Sequence, residues 1–193
     1  TSLFRNQHEN RQAAAQVSRR FRFRDDLRLN SRLAADIEDI DSTALGDFNR
    51  SRLAVTLLPE VDLTEDLMLT AGVRAEVLES FQDQWLPQVQ LDWQSTPSLL
   101  FYAEYSASAR RPSYTELNYE SPGSLGNSGL DLQNQDAAET GIEWSISPDT
   151  SLRALLVAPR TEDTVDWIRP DAEASHWQAE NIGDVDTQGT QLI

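Results

Sequence analysis

The 193-residue sequence has no cysteine, no lysine and only two histidines, His8 and His176. Without thiols, disulfide scaffolds, thiolate zinc sites and cysteine nucleophiles are excluded. Two histidines leave little material for a multi-histidine metal centre or a histidine-based triad. No window approaches the ~18 uninterrupted apolar residues that a membrane helix needs, and mean hydropathy is −0.52. Basic charge is scarce as well. Sixteen arginines face 32 acidic side chains, for a formal net charge of −16. That balance argues against nucleic acid as a partner, because phosphate binding needs a net basic surface. The charge is also uneven: residues 1–52 hold 10 arginines and 8 acids, whereas residues 112–193 hold 3 and 15. Such an acidic half serves either solubility alone or a water-facing surface such as long loops or a channel wall.

What the chain does have is alternation. Apolar residues recur at period two, the signature of strands with one apolar face. Leu67, Leu69, Ala71, Val73, Ala75 and Val77 alternate with Thr70, Arg74 and Glu76. Leu27, Leu29, Leu33, Ala35 and Ile37 alternate with Arg28, Asn30, Arg32, Asp36 and Glu38. The same pattern runs through 53–61, 85–93, 99–109 and 138–146. Polar turn signals at Asp25-Asp26, 64–66, 95–98 and 147–150 separate these segments. The turns alternate with longer connections over 41–49, 79–84, 112–135 and 169–176. The pattern predicts about nine strands, over 15–24, 27–40, 50–63, 67–78, 85–94, 99–110, 136–146, 151–168 and 177–193. Short turns then lie at one end of the sheet and long loops at the other.

Strand length separates a soluble sandwich from a membrane barrel. Soluble strands run about 5–6 residues, and tilted membrane strands about 9–11. Most alternations here reach the longer figure. Trp85 and Trp93 share a face and lie about 26 Å apart along a strand at ~3.3 Å per residue. Two aromatic girdles around an apolar band have such a spacing. The reading is all-β, an antiparallel up-and-down transmembrane β-barrel in part, with its apolar face outward. The alternative is a soluble all-β ligand-binding module whose apolar faces meet in a core. An enzyme is disfavoured, since no nucleophile, base and orienting group can be assembled from these residues.

The segment Tyr105–Trp144 narrows the class. It carries Arg110-Arg111-Pro112-Ser113-Tyr114-Thr115-Glu116-Leu117, then Gly126-Asn127 and Leu130, then Glu139-Thr140-Gly141-Ile142-Glu143-Trp144. This resembles the late barrel of TonB-dependent outer-membrane receptors. The continuation Asp163–Ile168, then Trp177, Ala179, Asn181, Ile182 and Gly189, is similar to their cobalamin-receptor branch. Departures occur at Gln133-Asn134, where the family has Pro-Glu, and at Ala158-Pro159; the proline removes a ladder donor and predicts a bulge or local disorder. The resemblance implies a bacterial outer-membrane transporter of cobalamin or a ferric siderophore. It further implies a larger barrel of about 22 strands and a plug through which the TonB complex acts. Residues 1–193 would then be a partial barrel, in contact with outer-membrane lipid, with plug and closing strands outside it.

Candidate ligand contacts lie in the long loop: Arg111, Tyr114, Tyr119 and Asn127. Arg110, Arg111, Tyr114 and Glu116 form either a ligand-side or plug-facing polar cluster, or a motif that packs the strand-to-loop transition. Asp163, Asp166, Asp171 and Glu173 lack the spacing of a calcium loop, and no metal or cofactor is expected. Trp167 and Trp177 read as members of an interfacial girdle. Glu139 and Glu143 read as lumen-facing charges.

Overall fold

The computed structural model describes residues 6–171 and 173–193. The chain opens with six long strands, β1 (His8–Arg24), β2 (Leu27–Ser42), β3 (Gly46–Asp62), β4 (Leu67–Leu78), β5 (Gln84–Thr96) and β6 (Leu99–Arg110). Each pairs antiparallel with the next. A loop region follows with a short helix α1 (Tyr114–Asn118) and a small hairpin, β7 (Glu120–Ser121) and β8 (Ser124–Leu125). β9 (Gln133–Ser147) returns beside β6, and β10 (Thr150–Glu162) pairs with β9. β11 (Val165–Ile168) and β12 (Trp177–Asn181) join the β7–β8 hairpin in a second, four-stranded sheet. β13 (Val185–Asp186) and β14 (Gly189–Leu192) then line the far edge of β10. The main sheet is a meander with two open edges, because β1 pairs only with β2 among the described residues.

Burial across this sheet is inverted relative to a soluble protein. Trp85 is 72 % exposed, Val17 70 % and Ile37 54 %, whereas Glu76 is 4 % exposed and Asp36 6 %. The apolar side chains of the alternating pattern stand on an uncovered face, and the charged ones pack on the other. A soluble sandwich would bury that apolar face against a second sheet; here none of the described residues covers it. The sheet is therefore part of a barrel wall whose solvent on the apolar side is lipid.

The apolar face has limits. On β2 it runs from Leu27 to Ile37, then turns to Asp39 and Asp41. Ten steps at ~3.3 Å, tilted ~45°, give roughly 23 Å, close to the ~25 Å band of outer-membrane barrels. On β10 the same face turns from Ala158 to Arg160 and Glu162, and on β9 from Ala138 to Asp136. Trp93 stacks on Phe101 at 5.4 Å near the short-turn rim, with Trp144 registered against Leu99 beside them. Trp85 stands toward the opposite rim.

Several boundaries differ from the sequence-based expectation. The 41–49 connection is a tight turn at residues 43–45, left through Gly46 at φ +93°. β1 starts at His8 rather than near residue 15. The strand expected over 151–168 ends at Glu162, because Asp163 adopts φ +54° and redirects the chain into the small sheet. The segment expected as one strand over 177–193 is split between the two sheets. Trp167 and Trp177 thus belong to the small sheet and not to a girdle on the wall. Pro159 makes no bulge: it stays in register with Ala137, and the irregularity falls at Thr150/Ser151. Its missing donor points to the other edge, where pairing lapses between Val157 and Arg160 and only the Pro159 carbonyl is used, by Thr187 N–H at 2.9 Å. Pro59 and Pro87 obey the same rule: Pro59 lies where the β3–β4 ladder is interrupted, and Pro87 just beyond the end of the β5–β6 ladder.

Candidate functional site

Period-two geometry gathers most of the charged residues of β2–β6 on one polar face, and cross-strand neighbours there are close enough to pair. At its middle, Asp36 on β2 accepts from Arg52 Nε on β3 at 2.6 Å and from Arg111 Nη2 at 3.2 Å. Arg52 also approaches Glu76 at 3.6 Å, and Arg74 pairs with the same carboxylate. Two buried carboxylates are thus balanced by three guanidiniums. That compensation is what keeps charge tolerable away from water. Farther along, Tyr102 Oη donates to Glu139 Oε1 at 2.7 Å and accepts from Arg153 Nη2 at 2.9 Å. Gly141 makes room for the Tyr102 ring, since a Cβ there would lie 2.6 Å from it. Toward the short turns, Glu60 gathers Arg20, Arg28 and Asn30.

The loop after β6 folds over the long-loop end of this face. Ser113 caps α1: its hydroxyl accepts from Glu116 N–H at 3.2 Å, and its own N–H donates to Glu116 Oε2 at 2.6 Å, a reciprocal capping box. Arg110 grips Glu116 with two hydrogen bonds of 3.0 and 3.2 Å and also reaches Gln133 Oε1 at 2.9 Å, so one guanidinium joins the departing strand to the returning one. Burial alone would raise the Glu116 pKa, but the bonds from Arg110 and Ser113 outweigh it and hold the carboxyl below its ordinary range.

From there the chain reaches past β5 and β4 to sit on β2 and β3. Arg111 donates to Ser51 O at 3.2 Å as well as to Asp36. Pro112 is fully buried, and its carbonyl accepts from Arg50 Nη1 at 2.8 Å. Tyr114 Oη donates to Glu38 O at 3.1 Å. Its ring stacks on Phe48 at 6.0 Å and lies 4.4 Å beneath the Arg50 guanidinium. Burial pushes the Tyr114 phenol pKa up. Tyr119 and Asn127 meet in a second turn packed on α1. Tyr119 O accepts from Gly126 N–H at 2.6 Å, and Asn127 N–H donates to Glu116 O at 2.8 Å. Asn127 Oδ1 accepts from Gly129 N–H at 2.9 Å.

A cleft of about 960 Å³ opens between this cap, the start of β3 and the β4–β5 loop, lined among others by Phe48, Arg50, Phe81, Tyr114, Leu130 and Asp131. Of the four candidate contacts, Tyr114 lines the cleft, Arg111 sits beside it on Asp36, and Tyr119 with Asn127 forms the adjoining turn. Phe48, Arg50 and Asp131 were not singled out by the sequence, nor was Asp36 as an anchor. For Phe48, Arg50 and Asp36 the only signal was polar or aromatic character at positions of the non-lipid face; Asp131, in the loop before β9, had none. Among the described residues no group of three or more acidic or histidine side chains is arranged to hold a metal ion.

The sequence matches the family described as TonB dependent receptor-like, beta-barrel, over residues 3–192. No curated protein sequence matches. Similar solved structures include the siderophore receptor PirA of Pseudomonas aeruginosa (16 % identity, 97 % of this chain and 37 % of that one, TM-score 0.80). A mutant ferric enterobactin receptor, PfeA, of the same organism with enterobactin aligns at 16 % identity over 97 % of this chain and 33 % of its own, with TM-score 0.79. The Serratia marcescens hemophore receptor HasR, with hemophore HasA and heme, aligns at 15 % identity over 97 % and 39 %, also at 0.79. The chain therefore spans between a third and two fifths of these proteins. Identities this low carry the fold and not the cargo.

Proposed function

Because the chain belongs to the TonB-dependent receptor-like β-barrel family, we propose that it is part of the wall of an outer-membrane active-transport receptor for a scarce nutrient, cobalamin or a ferric siderophore. The observation that carries this reading is the inverted sheet, with apolar side chains open to lipid and paired charges on the other face. The chain's place is the outer membrane, and it is a transport-family wall rather than an enzyme. In this reading the cleft beside Tyr114 faces the cargo. Tyr119 and Asn127 shape its rim, and Arg111 contributes through its hold on Asp36. The partner that opens the path is the TonB complex, acting through a plug outside residues 1–193.

The cargo we favour is a ferric siderophore, because Phe48, Phe81 and Tyr114 offer flat aromatic surface that suits a ring-bearing chelate. Charge does not enter this choice: Arg50, the one basic residue of the lining, is paired with Glu38, and Glu79, Asp131 and Asp163 line the same cleft. The test is uptake by cells carrying the full-length receptor, with radiolabelled ferric siderophores and cyanocobalamin supplied separately. Siderophore uptake that disappears when TonB is deleted is the expected result. Uptake of cobalamin alone would reverse the cargo assignment, and uptake of either without TonB would sink the mechanism.

A further inference from the structure

The lipid-facing row of β1 carries a charge that the sheet leaves unserved. Val17, Arg19 and Phe21 stand opposite Leu33, Ser31 and Leu29 of the apolar face of β2, so Arg19 lies inside the apolar band. Among the described residues it is the one charge on the lipid-facing rows of β1 to β6, β9 and β10 between the limits of that band. A guanidinium keeps its proton in a protein, and charge on the lipid side of a barrel is costly at depth. No carboxylate among the described residues pairs with Arg19, whereas the adjacent Arg20 is held by Glu60 on the other face. Ser31 spends its hydroxyl on Arg19 O at 3.0 Å and leaves the guanidinium without a partner.

The side chain also has a direction. Its guanidinium carbon lies over the Phe21 ring, 5.2 Å from the ring centre, and Phe21 is nearer the short turn at Asp25-Asp26. An arginine that lays its stem on apolar surface and carries its head toward the nearer interface takes this posture. Ser31 lies four residues from Leu27, the short-turn limit of the band. At ~3.3 Å per residue and ~45° tilt that is roughly 9 Å of depth, and the head over Phe21 ends closer to the interface still. Past the register shift between Arg22 and Arg24, Arg24 stands opposite Leu27 and marks that interface with a second cation, paired with the exposed Asp26 at 3.2 Å. Short turns of outer-membrane barrels face the periplasm, so the interface belongs to the inner leaflet.

We propose that Arg19 anchors a binding site for an anionic phospholipid of that leaflet, with the guanidinium on the headgroup phosphate and the acyl chains along Val17, Phe21 and Leu33. The inference rests on the reading of the apolar face as lipid-facing. Guanidinium forks bind phosphate oxygens in pairs, and a headgroup without an ammonium of its own leaves the whole phosphate charge to Arg19. The short Ser31 side chain interrupts the row of Leu29 and Leu33 beside it and makes room for the headgroup. A net charge of −16 gives the chain no general attraction for anionic lipid, so a preference for one would be local. A carboxylate of another strand or another copy is the competing counter-charge. Lipid fits better, because the head lies along its own strand toward the interface, over Phe21, and not across to a neighbour.

The test is native mass spectrometry of the full-length receptor in detergent with equimolar phosphatidylglycerol and phosphatidylcholine of distinguishable mass. The parent is expected to retain phosphatidylglycerol about fivefold over phosphatidylcholine, the preference that one arginine near an anionic surface supports. Arg19→Gln is expected to retain the two equally. No preference in the parent, or one that Arg19→Gln leaves intact, would overturn the proposal, as would displacement of the lipid by millimolar inorganic phosphate. Thermal unfolding in vesicles gives a second readout: adding phosphatidylglycerol to phosphatidylcholine is expected to stabilise the parent and not Arg19→Gln. A variant destabilised alike in both lipids would place the counter-charge on protein and overturn the site. If Arg19→Gln fails to assemble, Arg19→Lys decides in its place, with a weaker preference expected and an undiminished one contradicting the guanidinium's role. Heat-modifiable migration of the same samples tests the barrel reading separately: a folded barrel without lipid preference refutes the site alone, whereas no folded barrel refutes the receptor reading.

Discussion

Gly72 and Gly141 are both places where the sheet admits no Cβ, but for different reasons. At Gly72 on β4 a Cβ would fall 2.0 Å from the Leu57 carbonyl oxygen, next to the ladder gap at Leu58 and Pro59. The obstacle is backbone and has nowhere to go. At Gly141 the obstacle is the outer half of the Tyr102 ring, 2.5–2.6 Å away, which can swing aside at the cost of its bonds to Glu139 and Arg153. Overpacking of this kind costs about 1–3 kcal/mol. Gly141→Ala is expected within that range and Gly72→Ala at or above its top, in denaturant unfolding of the full receptor in detergent. Equal costs would mean that the Leu57 backbone yields as easily as a side chain.

The cap over residues 110–132 is held by an ionic and capping arrangement rather than by helix propensity, because five residues are too few for a helix to persist alone. Ser113→Ala removes the acceptor for Glu116 N–H and is expected to weaken cap closure by about 0.5–2 kcal/mol, read as faster amide exchange through 114–119. The Glu116 carboxyl titrates below its ordinary 4.5 in the folded cap. Its contribution is therefore complete above about pH 4.5 and is lost as pH falls through the lower folded value. A fluorine probe on the exposed Ser128 is expected to report cap opening in that acid window, and Glu116→Gln to remove the pH dependence. Opening that starts at neutral pH would contradict the assignment. The same elements show what the sequence disclosed. Strands β2 to β6 and β9 were legible because each carries a period of two that survives single breaks such as Ser31, Pro59 and Pro87, with turn signals or loops at its ends. The cap's anchorage was not. Arg111 and Asp36 are 75 positions apart, and period-two pattern says which face each occupies but not which strand a loop will cross to. The break at Asp163 was hidden for a local reason, since Asp tolerates φ > 0 without announcing it as glycine would.

At the scale of the whole molecule the decisive question is which solvent each face meets. A charge of −16 and a mean hydropathy of −0.52 describe a chain that looks water-soluble when averaged, because averaging mixes the two faces of every strand. Resolved by face, the apolar residues form a band bounded by Asp39, Asp136 and Arg160 on the long-loop side. Most of the charges lie behind it in pairs; Arg19, over the Phe21 ring, is an exception within the band. Adjacent residues on one strand then sit in different media. Val89 lies midway between Trp85 and Trp93 on the lipid side of β5. Its neighbour Gln90 stands on the polar side, bonded to Asp92 at 2.9 Å and in register with Glu104. The same substitution should have opposite consequences at the two. Val89→Arg carries a guanidinium to the middle of the band and is expected to cost about 2–4 kcal/mol. Gln90→Arg gains two carboxylate neighbours and is expected within about 0.5 kcal/mol of the parent. Unfolding of the full receptor in lipid bilayers measures both. A barrel wall requires the two costs to differ by at least the lipid penalty; similar values would mean that the exposed apolar face meets protein or water instead.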